Sequence, residues 1–292
     1  MSIHGILGEQ TTDYPTEYSP ETLYPIARNL GRNAIDWQAD KPSIHKLSVG
    51  IDWWHAFEVS WLNPKGVSQV AIARFSVPAS SPYIVESKSL KLYLNSINFT
   101  EFASWQDVEA LLARDLSACV QSEVQVDLFA LHDDTSGLLI TQPEGICIDE
   151  ALADSDEKVA LSVHPDAALL VNGKLETNQT YNNNGLYTFY SNLLRSNCPV
   201  TNQPDWGALA VSINSLKAID NAAMLRYILS YRQHNGFHEQ CVEQIFADLS
   251  RVYQPSELMV RAWYTRRGGI DINPCRVSDT ALLPMPSRLI RQ

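Results

Sequence analysis

The stretch SNCPVTNQPDWG, residues 196–207, places a cysteine and an aspartate on one short polar loop. Prolines directly after Cys198 and directly before Asp205 restrict its backbone. A thiolate adds readily to an electrophilic carbon, and each such addition needs a proton delivered to the atom that gains charge. Asp205 can deliver it if the flanking Pro204 and Trp206 form a partly apolar pocket that favours the protonated carboxyl. The alternative is a buried, inert cysteine.

A histidine and a glutamate follow in HNGFHEQCVE, residues 234–243. His238 and Glu239 come where the apolar spacing of a helix restarts. They offer a proton carrier and a carboxylate that can accept two N–H bonds from a heterocycle. A solvated His-Glu pair at a helix start is the alternative. His238 and Cys241 would supply half of a metal site, but the sequence has no second close pair of ligands, so we predict no metal.

Positive charge stands beside two glycines in YTRRGGIDINP. Arg266 and Arg267 precede Gly268 and Gly269, and such a turn offers a phosphate both guanidinium groups and open backbone N–H donors. A strand-end turn with solvated arginines is the alternative. The sequence contains neither G-x-G-x-x-G nor G-x-x-x-x-G-K-[ST], so a nucleotide would be held without a Rossmann turn or a P-loop.

The motif VESKSLKLYLNS begins at Val85 and enters a candidate helix. Glu86 suits the positive end of a helix dipole, whereas lysines in the first turn do not. We therefore interpret Lys88 and Lys91 as candidates for contact with an anionic ligand. Solvated charges at the helix start are the alternative.

The composition is that of a folded, acidic chain. Of its 292 residues, 45% are hydrophobic, which suits one large domain or two of average size. The net charge of −11 disfavours duplex nucleic acid as a partner, because phosphate binding needs clustered Lys and Arg. We recognise no signal peptide or membrane-spanning run, so we expect a cytoplasmic protein and no membrane partner. The five cysteines lack a Cys-x-x-Cys pair and are expected to be free thiols.

The elements that must position these residues follow in two similar series. After an irregular arm of about fifty residues, which we expect to pack over a domain, apolar alternation predicts three strands and apolar spacing predicts an intervening helix. Those strands are FEVSWLN, SQVAIARFSV and VQVDLFAL, and the helix covers 90–116. The polar stretch 149–158 is the best candidate linker. Beyond it we predict strands at 168–173, 208–215 and 258–266, the last being the final strand, and a helix over 221–253.

The two series match in detail. LKLYL at 90–94 and LRYIL at 225–229 lie 135 residues apart, and Phe102 and Phe237 keep that offset. We interpret this as a tandem duplication; a chance match between two amphipathic helices is the alternative. The polar residues are partitioned, which predicts two complementary halves that build one site. The positions matching Glu86-Ser87-Lys88, Cys198 and His238-Glu239 hold Asn221-Ala222-Ala223, Asn63 and Ala103-Ser104.

Four motifs, ESKSLKLYLNS, SNCPVTNQPDWG, FHEQCVE and RRGGIDINP, together resemble the NADPH-dependent 7-cyano-7-deazaguanine reductases, the nitrile oxidoreductases of queuosine biosynthesis. The likeness is to the long, two-module form and covers nearly the whole chain. Asn202 and the stretch before the cysteine, residues 180–197, depart from the expected form. The resemblance implies an α+β fold of two tandem tunnelling-fold (T-fold) modules, each an antiparallel four-stranded sheet with two helices on one face. The modules would be 1–155, which includes the arm, and 156–292.

The resemblance also implies a reaction and its residues. A nitrile is reduced to a primary amine by two hydride transfers from NADPH, and a homodimer is expected. Cys198 would form a covalent thioimidate, Asp205 would protonate the nitrile nitrogen, and His238 would lie near the reacting centre. The implied substrate-binding residues are Val85, Glu86, Ser87, His238 and Glu239, and the implied cofactor-binding residues are Ser87, Lys88, Arg267 and Gly268.

Two alternatives come from other classes. The first is a zinc-dependent cyclohydrolase or related pterin-binding enzyme on the same fold, with Cys198 and His238 as metal ligands. The second is a non-catalytic purine-binding module. The joint presence of Cys198, Asp205, His238 and Glu239 weighs against the second.

Overall fold

The computed structural model describes residues 14–35, 47–132, 138–156, 158–160, 162–171 and 185–292. It confirms a mixed α+β fold. The strands are β1 (Pro25–Ala27), β2 (Gly50–Leu62), β3 (Ser68–Pro78), β4 (Tyr83–Val85), β5 (Gln125–Phe129), β6 (Ile140–Thr141), β7 (Ile146–Cys147), β8 (Leu186–Asn197), β9 (Pro204–Asn214), β10 (Glu257–Tyr264), β11 (Ile270–Val277) and β12 (Arg288–Leu289). The α-helices are α1 (Asn29–Arg32), α2 (Ser87–Ser96), α3 (Trp105–Val120), α4 (Asn221–Leu229) and α5 (His238–Tyr253).

One continuous eight-stranded sheet organises the chain, in the order β5-β3-β2-β11-β10-β9-β8-β7. Neighbouring strands are antiparallel except β7 and β8. The first half contributes β2, β3 and β5, the second contributes β8 to β11, and the short β7 pairs with β8 at the far edge. Antiparallel pairing of β11 with β2 joins the two halves edge to edge. We call this β2–β11 junction the seam. A site at the seam can therefore draw side chains from both halves.

Helices cover one face of the sheet. The first core cluster packs α2 and α3 onto β2, β3 and β11, and the second packs α4 and α5 onto β8, β9 and β10. The arm also contributes, because Ile35 and Leu47 are buried in the second cluster. The opposite face is covered by chain that follows β11, where the Trp263 indole donates to the Ser287 carbonyl at 3.1 Å. No helix within the described ranges is long and apolar enough to cross a membrane.

Two structural details that recur in both halves support the duplication. The β2/β3 hairpin is irregular between Ala56 and Val59, and the β8/β9 hairpin is irregular between Ser191 and Leu194, again 135 residues on. A buried tyrosine–aspartate hydrogen bond also recurs between the two helices of each half. These bonds are Tyr93 to Asp115 at 2.6 Å and Tyr227 to Asp248 at 2.7 Å. The strand irregularity recurs at the 135-residue offset, and the helix–helix bond recurs within two residues of that offset, which supports duplication over a chance likeness.

Several predicted elements differ from those observed. The single helix expected over 90–116 is α2 and α3, separated where the Ser104 side chain caps α3. The helix expected over 221–253 is likewise α4 and α5. Residues 167–170 form a 3-10 turn, not a strand, because the Asp166 side chain caps the Ala168 N–H; residues 172 and 173 lie outside the described residues. The strand predicted at 258–266 is confirmed as β10, but it is not the final strand, since β11 and β12 follow.

Strand β8 was missed, and it carries the catalytic candidate at its end. Its polar residues (Thr188, Ser191, Asn192, Arg195) obscure the alternation that predicts a strand. The linker expected at 149–158 contains no helix or strand within its described residues and lies between β7 and β8.

A buried charge cluster lies at the seam and ties the arm to both halves. Asp52 on β2 receives hydrogen bonds from Arg28 and Arg276, each at 2.6 Å. Glu243 on α5 receives bonds from Arg32 and Arg276, each at 2.7 Å. All five side chains are at most 7% exposed. Although burial acts the other way, the two arginines lower the pKa of Asp52, so it is held as a carboxylate.

Removing one member of this cluster should be costly. Asp52→Asn leaves three buried guanidinium groups with Glu243 as their only carboxylate in this cluster, and we expect the free energy of unfolding to fall by about 3–5 kcal/mol in urea titrations. The matched control is Asp127→Asn in the partly exposed pair with Arg74, where we expect a loss below about 1 kcal/mol. Equal losses in the two variants would show that the cluster does not hold the seam.

Candidate active site

Cys198 is the first residue of the turn between β8 and β9. Its N–H donates to the Gln203 carbonyl at 2.9 Å, and its own carbonyl accepts from the Asn202 N–H at 2.9 Å. Asn202 has a left-handed backbone with φ of 56°, which asparagine tolerates better than most residues. The departure noted in the sequence at Asn202 therefore has a structural use. The thiol is 9% exposed, on a fixed backbone.

Asp205 is the second residue of β9 and is 4% exposed. Its Oδ1 lies 3.0 Å from Arg267 Nε, and its Oδ2 lies 3.6 Å from His238 Nε2. The expectation that Pro204 and Trp206 enclose it is wrong, because neighbours along a strand point to opposite faces and both are exposed. A cation and an imidazole surround the carboxylate instead.

His238 and Glu239 open helix α5. The His238 ring packs against the Tyr264 ring with centroids 4.0 Å apart. Glu239 is 2% exposed, and its Oε1 has no hydrogen-bond partner among the described residues. Burial, and then the negative charge of Asp52, raise the pKa of Glu239 to about 7. A buried carboxyl with an unpartnered oxygen is ready to accept a donor from a ligand.

The first half contributes the N-terminus of α2. Glu86 is the helix cap and accepts the Ser89 N–H at 2.7 Å. Ser87, Lys88 and Lys91 follow in the first turns. The cap neutralises part of the helix dipole, so the two lysine charges do not face an uncompensated positive helix end.

The turn from Arg267 to Ile270 provides the remaining cation. Backbone hydrogen bonds link these two residues in both directions, at 2.9 and 3.2 Å. Gly268 and Gly269 have φ of 58° and 79°, the geometry of a two-residue hairpin turn that favours glycine. A Cβ at Gly268 would lie 2.7 Å from Lys91 Nζ. The turn therefore approaches a lysine of the first half closely.

A single cleft of about 340 Å³ collects most of these side chains. Its walls include predicted residues from both halves, namely Glu86, Ser87, Lys88, Cys198, His238 and Arg267, together with Lys91. Asp205 contacts two of the lining residues from behind. Partition of polar residues between the halves thus corresponds to one shared cleft within one chain.

Other candidates lie elsewhere. Val85 is buried in the core cluster of the first half and does not line the cleft. The two adjacent arginines do not act as a pair: Arg266 lies over the Phe57 ring at 4.6 Å, whereas Arg267 reaches the cleft. Alternation along the chain sends neighbouring side chains to opposite sides of the sheet.

The possible metal ligands do not converge. No group of three or more His, Cys, Asp or Glu side chains within the described part of the chain could hold a metal ion. Cys241 is fully buried, and burial raises the pKa of its thiol to about 12, so it is protonated and a poor ligand. A zinc site on Cys198 and His238 would need a further ligand from outside this set.

Sequence reasoning missed Gln203. Its carbonyl holds Cys198, and its side-chain Oε1 accepts from Arg267 Nη1 at 3.0 Å. Glutamine beside a cysteine loop is not a distinctive signal. The contact depends on the β10–β11 turn lying against the β8–β9 turn, which no local pattern reveals.

Comparisons with known proteins agree with the motifs. A family model described as "Nitrile reductase, 7-cyano-7-deazaguanine-reductase N-term" matches residues 14–128, and one described as "QueF-like protein" matches residues 204–281. A curated relative from Psychrobacter cryohalolentis, named NADPH-dependent 7-cyano-7-deazaguanine reductase, is 74% identical over 296 residues. A relative of the same name from Acinetobacter baylyi is 50% identical over 292 residues. Both alignments cover 100% of this chain and 100% of the relative. The chain belongs to the NADPH-dependent 7-cyano-7-deazaguanine reductase family.

Proposed function

We propose that this enzyme reduces the nitrile of 7-cyano-7-deazaguanine to the primary amine of 7-aminomethyl-7-deazaguanine, at the expense of NADPH, as a step of queuosine biosynthesis. The observation that carries the proposal is the shared cleft, in which a buried thiol, an imidazole and three cationic side chains meet. A nitrile carbon is a soft electrophile suited to a thiolate, and the cations suit an anionic cofactor.

The residues proposed to bind the substrate lie at the N-termini of helices α2 and α5. Glu239 accepts N–H bonds from the guanidine-like edge of the deazaguanine, which satisfies its unpartnered Oε1. Glu86 and Ser87, at the start of α2, line the cleft, and Glu239 lies directly after the lining residue His238. His238 lies beside the reacting centre, held by the Tyr264 ring. Val85 contributes by packing beneath this wall.

The covalent step balances without an oxidant or reductant. The Cys198 sulfur forms a bond to the nitrile carbon, and one π bond of the C≡N group opens. The thiol proton passes to the Asp205 carboxylate and then to the nitrile nitrogen, which gives a thioimidate and restores the carboxylate. The burial of Asp205 shields this transfer from water.

The residues at the cleft mouth suit NADPH. Lys88, Lys91 and Arg267 provide positive charge in a chain of net charge −11, and Gly268 leaves backbone open where a Cβ would meet Lys91 Nζ. Ser87, Lys88, Arg267 and Gly268 would hold the cofactor. When bound, it supplies the hydrides that take the thioimidate carbon to the amine. Two transfers would be needed; the nitrogen would take up one further proton from solvent, and Cys198 would leave as the thiolate before the second transfer.

We extend the proposal to the whole protein. Each half is a T-fold module, with the boundary at 155/156, and the protein is a cytoplasmic homodimer that binds no nucleic acid directly. The repeated hairpin irregularity and the repeated pair of helices support two modules of one fold.

The covalent step predicts a mass change. Wild-type protein incubated with 7-cyano-7-deazaguanine without NADPH should gain the mass of one substrate molecule, and Cys198→Ala should abolish the gain. The matched control is Cys147→Ser, which removes an exposed thiol on β7 and should leave the gain intact. Absence of both the adduct and substrate-dependent NADPH oxidation in the wild type would refute the proposed function.

The raised pKa of Glu239 predicts that substrate binding depends on pH. The carboxylate form accepts the substrate's N–H groups, and with a pKa of about 7 it is lost as the pH falls. In a Cys198→Ala background, calorimetry should show affinity about tenfold weaker at pH 6 than at pH 8. Glu239→Gln in that background should bind weakly with little pH dependence; a retained tenfold change would assign the titration to another group.

The position of Gly268 predicts that its substitution weakens NADPH binding but not adduct formation. Gly268→Ala introduces a Cβ at positive φ and in contact with Lys91, so the KM for NADPH should rise at least about fivefold while adduct formation without NADPH stays within twofold of wild type. Gly66→Ala is the matched control, because φ is also positive there but nothing lies within 4 Å. An equal rise in KM in the control would refute the assignment.

A further inference from the structure

We propose that Arg267 is a positioning residue for the thiol-addition step, acting through Asp205, in addition to its proposed contact with the cofactor. The inference rests on the proposed function, because it concerns the first covalent step of that reaction. It assigns Arg267 a role before any hydride moves.

The first support is the geometry at the carboxylate. Arg267 Nε lies 3.0 Å from Asp205 Oδ1, whereas Asp205 Oδ2 faces His238 Nε2 at 3.6 Å, beyond hydrogen-bond distance. The guanidinium therefore fixes one carboxylate oxygen and leaves the other to carry a proton. An ion pair at this distance also restrains where the carboxylate lies.

The second support is chemical. In the addition step the proton that ends on the nitrile nitrogen begins on the Cys198 thiol, so Asp205 must start the step as a carboxylate. A side chain that is only 4% exposed has little water to stabilise that charge. Arg267, the cation that contacts it directly, provides the compensating charge.

The third support is a circuit of hydrogen bonds between the two turns. Arg267 Nη1 donates to Gln203 Oε1 at 3.0 Å, and the Gln203 carbonyl accepts the Cys198 N–H at 2.9 Å. Arg267 thus links the proton carrier to the backbone that presents the thiol.

The neighbouring arginine provides a matched control. Arg266 carries the same charge one residue earlier but lies over the Phe57 ring, outside the cleft. Arg266→Gln removes a guanidinium from the same turn without touching Asp205, so it measures any nonspecific effect of changing this turn.

The test measures the rate of adduct formation at saturating 7-cyano-7-deazaguanine without NADPH, by quenched-flow and intact mass. We expect Arg267→Gln to lower the rate at least about tenfold and Arg266→Gln to change it less than twofold. Arg267→Lys, which keeps the charge but not the two-headed geometry, should recover part of the loss. In a Cys198→Ala background, Arg267→Gln should leave substrate affinity within twofold, which also shows that the variant is folded.

The outcomes separate the two proposals. A wild-type protein that forms no adduct refutes the proposed function. A wild type that forms the adduct with an Arg267→Gln variant as fast as Arg266→Gln overturns only the inference. An Arg267→Gln variant that loses substrate affinity in proportion to its rate also overturns it, because Arg267 would then act on binding.

Discussion

The structure depends on pairing opposite charges where the two halves meet. Asp52 and Glu243 are buried, and each is bonded to two arginines, with Arg276 shared between them. Charged groups at this depth are tolerated only when paired, so the seam accepts essentially one arrangement of β2, β11 and α5. The arm is included, since it supplies Arg28 and Arg32. Removing either carboxylate would leave the three arginines with only one carboxylate between them.

Fixing the seam also fixes the cleft. The N-termini of α2 and α5 come from different places in the duplicated unit, since α2 matches α4 and α5 matches α3, and the shared sheet brings both to one cleft. Each half can then dispense with what the other provides. The first half keeps a helix start with lysines, and the second keeps the thiol turn and the His-Glu pair. Asn63, at the position that matches Cys198, uses its side chain to close its own turn, accepting the Lys65 N–H at 2.9 Å.

The sequence predicted the residue types of the site better than their surroundings. Cys198, Asp205 and His238 were selected from local motifs, and the structure places Cys198 and His238 in one cleft with Asp205 beside His238. The partner of Asp205 was not, since its contact with Arg267 joins two turns about sixty residues apart, whereas local reasoning favoured the adjacent Trp206. Likewise β8 was missed because its polar side chains hide the strand period, and each predicted helix was too long because capping by residues such as Ser104 breaks it. The arginines of the arm gave no signal, since their carboxylates lie far along the chain.

The seam and the substrate site are also linked by charge. The cluster contains three arginines and two carboxylates, a balance of +1, and Glu239 is close enough to Asp52 and Arg28 to be influenced by both. When ionised, Glu239 brings the local balance to zero, yet burial raises its pKa to about 7 and opposes that charge. A ligand that donates N–H hydrogen bonds to Glu239 would stabilise its carboxylate form. Because an apolar or acceptor-only ligand would leave that carboxylate unsatisfied, the buried charge balance supports the proposed pairing of Glu239 with the donor edge of a heterocycle.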